Sequence, residues 1–123
     1  MTLQDFHVGQ IVCLYIIEGS NRRRRLARED RDNPEKIFID GTVESVGKKY
    51  VTVNGHRFDS KNDFIHDNDG TADYELFLSR ADAEKEHKRN EEYRKALANF
   101  NKYGKNIGYE DIAAINAIID KYV

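Results

Sequence analysis

Apolar residues fill Ile11 to Ile17 almost without a break, in a run rich in Ile, Val and Tyr. With Phe6 and Val8-Gly9-Gln10 leading in, the spacing predicts a first strand over Phe6 to Ile17, apolar on both faces and therefore packed on two sides. From Glu18 to Glu35 the pattern breaks. Gly19, Ser20, Asn21, four consecutive arginines, several acids and Pro34, the only proline, read as a long exposed loop. Strand signals return between Lys36 and Phe58 with Ile37, Ile39, Val43, Val46, Val51 and Val53, punctuated by Gly41 and Gly47. Asn54-Gly55 predicts a two-residue hairpin, because both central positions of a type I′ turn favour positive φ. Val53 then faces His56, Thr52 faces Arg57 and Val51 faces Phe58, which puts Val51, Val53 and Phe58 on one side. Ser60 to Asp73 is polar and acidic and reads as a loop. Tyr74, Leu76 and Leu78 alternate as a last strand.

At Ser79 the period changes from two to that of a helix. Ser79 and Asp82 fit a capping box. A charged helix follows to about Phe100, its apolar stripe thin at Ala83 and firmer at Tyr93, Leu97 and Phe100. Asn101 to Gly108 turns, and a second helix runs from Tyr109 to Tyr122, with Glu110 and Asp111 suited to its positive end and Lys121 to its negative end. Its stripe of Ile112, Ile115, Ile118, Ile119 and Tyr122 is expected to be core; left uncovered, it becomes a dimer seam or a partner surface. These elements predict an α+β chain: a five-stranded, SH3-like antiparallel barrel over residues 1–78, carrying the arginine loop at 18–35, then a helical hairpin over 79–123.

Composition narrows the class. The chain has 123 residues, 34% of them charged, with a net charge of −2. It is long enough for one compact domain with an appendage, and any basic function must come from a local patch. The single cysteine, Cys13, lies in the apolar strand and reads as an inert buried thiol. The apolar run is far shorter than the ~20 residues that span a bilayer. With no signal-peptide pattern at Met1 to Phe6, the expectation is a cytoplasmic protein without membrane contact.

The segment Gly41-Thr-Val-Glu-Ser-Val-Gly-Lys-Lys-Tyr-Val-Thr-Val with Arg57-Phe58-Asp59, the Phe6-x-Val8-Gly9 lead-in and the Tyr74-Glu-Leu-Phe-Leu-Ser passage into a charged helix carry a resemblance. They resemble the small β-barrel domain proteins of phages and prophages of Gram-positive bacteria. The Gly-x-Val-x-x-Val pattern is similar, more distantly, to the KOW and related SH3-like modules of translation proteins. The first resemblance implies an accessory protein from a mobile element, of a kind that often binds host machinery, anti-CRISPR inhibitors included. It carries no assigned activity or functional residues to this chain.

The strongest local feature is the arginine segment: Arg22, Arg23, Arg24, Arg25, Arg28 and Arg31. Guanidinium forks pair bidentately with phosphates, so the segment suits a nucleic-acid backbone or an acidic protein surface. Neighbouring Glu29, Asp30, Asp32 and Glu35 equally suit a self-neutralised, solvated loop. Lys48 and Lys49, with Tyr50 beside them, extend the candidate patch. Asp67-Asn68-Asp69-Gly70 invites a calcium reading, but Gly70 at position 6 of an EF-hand loop puts Ile65 and Leu76 where acids are required. Glu84-x-x-His87 has the spacing of a carboxylate-bundle metal ligand pair but lacks its matching motif. No nucleophile elbow, phosphate loop, zinc-peptidase motif or paired cysteines occur.

The chain is therefore expected to bind rather than catalyse, without a cofactor or metal. The expected partner is a host protein or protein–nucleic-acid complex that it modulates or inhibits. Direct RNA or DNA binding through the arginine loop is the alternative, and a homodimer through the helical hairpin is open.

Overall fold

The computed structural model describes residues 1–29, 34–68 and 71–123. Arg31 of the arginine segment and Asp69 and Gly70 of the acidic one lie outside the described residues. Two compact units divide the chain, Met1–Glu86 and His87–Val123.

The first unit is a closed antiparallel barrel of six strands in sequential order: β1 (Ile11–Ile16), β2 (Phe38–Val46), β3 (Tyr50–Val53), β4 (His56–Asp59), β5 (Ile65–His66) and β6 (Tyr74–Phe77). Pairing of β1 with β6, Leu14 opposite Leu76, closes it. Six strands replace the five expected. The extra one, β5, lies inside the segment read as a polar loop, and buried Phe64 beside it anchors that segment to the core. The β3–β4 hairpin has the register read from the sequence, Val53–His56, Thr52–Arg57 and Val51–Phe58. Asn54 and Gly55 both take positive φ, 50° and 79°. The Asn54 amide also accepts from Thr42 N and donates to Asp40 O, tying the turn to β2.

The interior is filled by Phe6, Val12, Leu14, Val43, Val51, Val53, Phe58, Phe64 and Leu76. The opposite face of β1 is buried too. There Cys13 and Tyr15 pack with Leu26, Ile37 and Ala83, a cluster that Ile16 at the strand's end also joins. Burial pushes the Cys13 thiol up to about 11, with Asp40 adding to the shift, so it is an inert thiol at neutral pH.

The arginine segment is not a loop. Residues Asn21–Glu29 form α1. Ser20 Oγ accepts from Arg23 N at 3.0 Å and an Asp73 carboxylate oxygen accepts from Arg22 N at 3.2 Å, satisfying amides of the first turn. Arginine is a good helix former, and burial of Leu26 on β1 supplies the tertiary anchor.

Ser79 caps α2 (Arg80–Tyr103), its Oγ accepting from Asp82 N at 3.2 Å. Ala83 in the first turn is fully buried in the barrel unit. The second unit holds the rest of α2 and α3 (Tyr109–Asp120). The isoleucine stripe is not a core: Ile112 and Ile115 are half-buried, and Ile118, Ile119 and Tyr122 are exposed. One neighbouring helix covers only part of an apolar face.

Glu75, on β6 opposite Tyr15 and Ile65, has its carboxyl raised to about 7 by burial and by the nearby charges of Glu86 and Asp63. A raised value means that folding favours the protonated acid. That stabilisation is complete below the ordinary value of 4.5 and is lost as pH rises through about 7.

Two stability outcomes follow from this packing. A Cβ at Gly41 would meet Val53 Cγ1 at 2.5 Å, inside the core, so Gly41→Ala should cost about 1–3 kcal/mol in urea unfolding, while Gly47→Ala, whose nearest atom is 3.5 Å away, should cost far less. Glu75→Gln should add about 1 kcal/mol near pH 8, after allowance for the group's partial exposure, and nothing near pH 4.

Candidate cleft at the barrel mouth

Antiparallel order brings the end of β1, the starts of β4 and β6 and the end of β5 to one mouth of the barrel. At that mouth the inward positions hold rings instead of aliphatic chains. His56 lies opposite Val53, His66 opposite Phe58 and Tyr74 opposite Ile16. Their centroids are 4.6 Å apart for His56–His66, 4.9 Å for His56–Tyr74 and 5.7 Å for His66–Tyr74. Above them opens a cleft of about 570 Å³, also lined by Arg22, Arg25, Arg57, Asp67, Asn68 and Asp73.

A helix turns about 100° per residue, so consecutive arginines diverge while i and i+3 share a face. Arg22 and Arg25 reach the cleft. Arg23 turns inward: its guanidinium donates to Ile16 O at 2.7 Å and lies 5.8 Å from the Tyr15 ring centroid. Arg24 lines a separate shallow recess with Gly19, Ser20 and Thr71. Arg28 is exposed near the far end of the helix. The segment is therefore a helix that delivers two guanidinium groups to one place.

Arg57 is the third. It sits on the outer face of the hairpin, 4.6 Å over the Tyr50 ring, and meets Asp67 at 3.3 Å. Lys49 lies 5.1 Å from the same ring and 3.7 Å from Asp59; Tyr50 and Asp59 together raise its pKa. Lys48 is exposed. Lys48, Lys49 and Tyr50 are not in the cleft, but Arg57 joins the Lys49–Tyr50 surface to it.

His66 is the unusual group. It is 9% exposed, and its Nδ1 is buried without a hydrogen-bond partner. Burial, reinforced by His56, lowers its pKa below the ordinary 6.5, against the opposing pull of Asp73 and Asp67. At neutral pH it is an uncharged imidazole beside three arginines.

Among the described residues no group of three or more His, Cys, Asp or Glu could hold a metal ion. Glu84 meets Arg80 at 2.9 Å and His87 meets Glu91 at 3.0 Å, so the Glu84–His87 pair is spent on helix-surface contacts. No helix among the described residues is long and apolar enough to cross a membrane.

Of the residues singled out by charge clusters, Arg22 and Arg25 line this cleft; Arg57, His56, His66 and Tyr74, which line it too, were not among the candidates. For His56 a signal existed, since the hairpin register already placed it with Val53 on the inward face. For Tyr74 the alternation with Leu76 gave the same kind of signal, whereas His66 gave none, because its strand has only two residues.

The fold and cleft define a small closed antiparallel barrel domain with an arginine-lined mouth. The model for the phage ProQ C-terminal-like domain matches residues 1–122, and the chain belongs to that family. No curated protein and no solved structure matches it.

Histidine NMR titration checks the cleft's electrostatics: His66 should titrate below 6.5. Added inorganic phosphate should raise that value by placing an anion near the ring.

Proposed function

We propose that this domain is a non-enzymatic module that binds single-stranded nucleic acid at the barrel mouth, with one nucleotide seated in the cleft. The observation that carries this reading is the convergence of Arg22, Arg25 and Arg57 on a recess floored by His56, His66 and Tyr74. Guanidinium groups bind backbone phosphates, and ring faces stack bases without regard to sequence. A cleft of about 570 Å³ falls in the size range of small-ligand sites. Burial in a recess suits an unstacked base better than a duplex edge. With Nδ1 buried and partnerless, the neutral His66 ring costs least with its proton on Nε2, where it serves as a donor to a base or phosphate. Arg57, Tyr50 and Lys49 continue the track over the hairpin.

The cleft also holds Asp67 and Asp73. That mixture of signs favours a second reading, docking on a host nucleic-acid-processing or defence complex as an anti-CRISPR-like inhibitor. An origin in phages of Gram-positive hosts and kinship with SH3-like modules belong to the same reading, on the strength of the Gly41 to Val53 and Arg57 to Asp59 motifs. Host protein captured after nuclease treatment, and lost on Arg22→Ala/Arg25→Ala/Arg57→Ala, would favour it over direct nucleic-acid binding.

Fluorescence anisotropy with single-stranded RNA and DNA at rising salt tests the first reading. Affinity should fall with salt, and the triple arginine variant should reduce the log–log slope by about two. Tyr74→Ala should weaken binding by about 1–3 kcal/mol with the slope kept, because stacking releases no counterions. Arg23→Ala should lower stability and leave the slope unchanged. Absence of binding at low salt, or a triple variant that binds like the parent, would sink it.

A further inference from the structure

The helical unit has no interior of its own. From Glu91 to Val123 no residue is buried. Its two helices nonetheless form an apolar groove of about 810 Å³, whose walls include Tyr93, Leu97, Phe100, Tyr103, Ile115 and Ile119. Five of these six side chains, all but Ile115, keep about half their surface in solvent. Two helices in water with so little covered apolar area are marginal.

We propose that a second copy of this chain covers the groove, joining two helix pairs about a two-fold axis into a four-helix arrangement. Charge singles out this occupant. From Tyr93 to Lys105 the chain carries Arg94, Lys95, Lys102 and Lys105 and no acid; α3 carries Glu110, Asp111 and Asp120 and no base. A two-fold axis that lays α2 of one copy along α3 of the other brings cations to acids twice over. That surface is complementary to itself, as an isologous interface must be.

The polar groups in the groove agree. Asn99 and Asn116, one on each helix, stand among its lining residues. Covered by a purely apolar partner, both amides would lose water without replacement. Across a two-fold axis an amide of one copy can pair with an amide of the other and fix the register. The area is adequate as well. Half-exposed aromatic and aliphatic chains of this size each offer on the order of 100 Å². Over both copies these five positions supply about 1,000 Å², the lower bound for a specific interface. The geometry therefore points to a reversible dimer of modest affinity.

Sedimentation equilibrium of the full chain alone, without nucleic acid, tests this separately from the reading of the cleft. A monomer–dimer equilibrium is expected between about 1 and 300 µM. Lys102→Glu/Lys105→Glu and Glu110→Lys/Asp111→Lys should each weaken the dimer about tenfold, and their combination should restore it. All four positions are exposed, and circular dichroism checks that α3 withstands the loss of its N-terminal acids. Leu97→Lys should leave a monomer. A chain that stays monomeric throughout the range overturns the proposal and gives the groove to a different protein. A combined variant that fails to recover also overturns it.

Discussion

Strand β1 is the seam at which the sheet closes and the bed on which the flanking helices rest. Val12 and Leu14 face the interior, where Leu14 lies opposite Leu76 across the closing pair. Cys13 and Tyr15 face outward and are covered by Leu26 of α1, Ile37 and Ala83 of α2. A strand buried on both faces has no solvent face to slip toward, so its register is fixed twice over. That register positions everything at the mouth. It sets Tyr74 opposite Ile16, and through Leu26 and the contact of Arg23 with Ile16 O it holds α1 over the rings.

The cleft is a consequence of that arrangement. Small barrels fill their interiors with side chains, and the last inward positions at an open end must cope with water on one side. Here rings with polar edges occupy those positions. His66 remains neutral because its surroundings penalise charge, while Arg22, Arg25 and Arg57 above it supply the positive field. Charge and stacking surface are thus kept on separate elements, α1 and β4 for the guanidinium groups and the barrel interior for most of the rings.

The helical unit obeys a different economy. Its apolar stripe matches helix periodicity well, yet the chain supplies only one partner helix to each face. The barrel unit completes its own burial, and the helix pair leaves most of its large apolar side chains exposed.

Much of the fold was legible along the chain because it rests on local rules. Asn54-Gly55 demanded a hairpin, the hairpin set the β3–β4 register, and Ser79 marked the start of α2. The double-sided apolarity of β1 was equally plain. The arginine segment was misread because Gly19, Ser20 and the charges signal a loop, whereas a single buried leucine, Leu26, and a distant carboxylate, Asp73, make it a helix. Strand β5 was missed because two residues carry no periodicity; pairing with β4 and β6 creates it.

The sequence by itself determined the succession of barrel and helices, the tight turn, and the presence of a dense run of guanidinium groups. Tertiary structure alone decided which of those groups meet, since the helical twist sends Arg22 and Arg25 one way and Arg23 another. It alone brought them to His56, His66 and Tyr74, because ring closure joins strand ends that lie far apart in the chain. Local propensity is written in neighbouring residues, and convergence on a site depends on how the sheet closes.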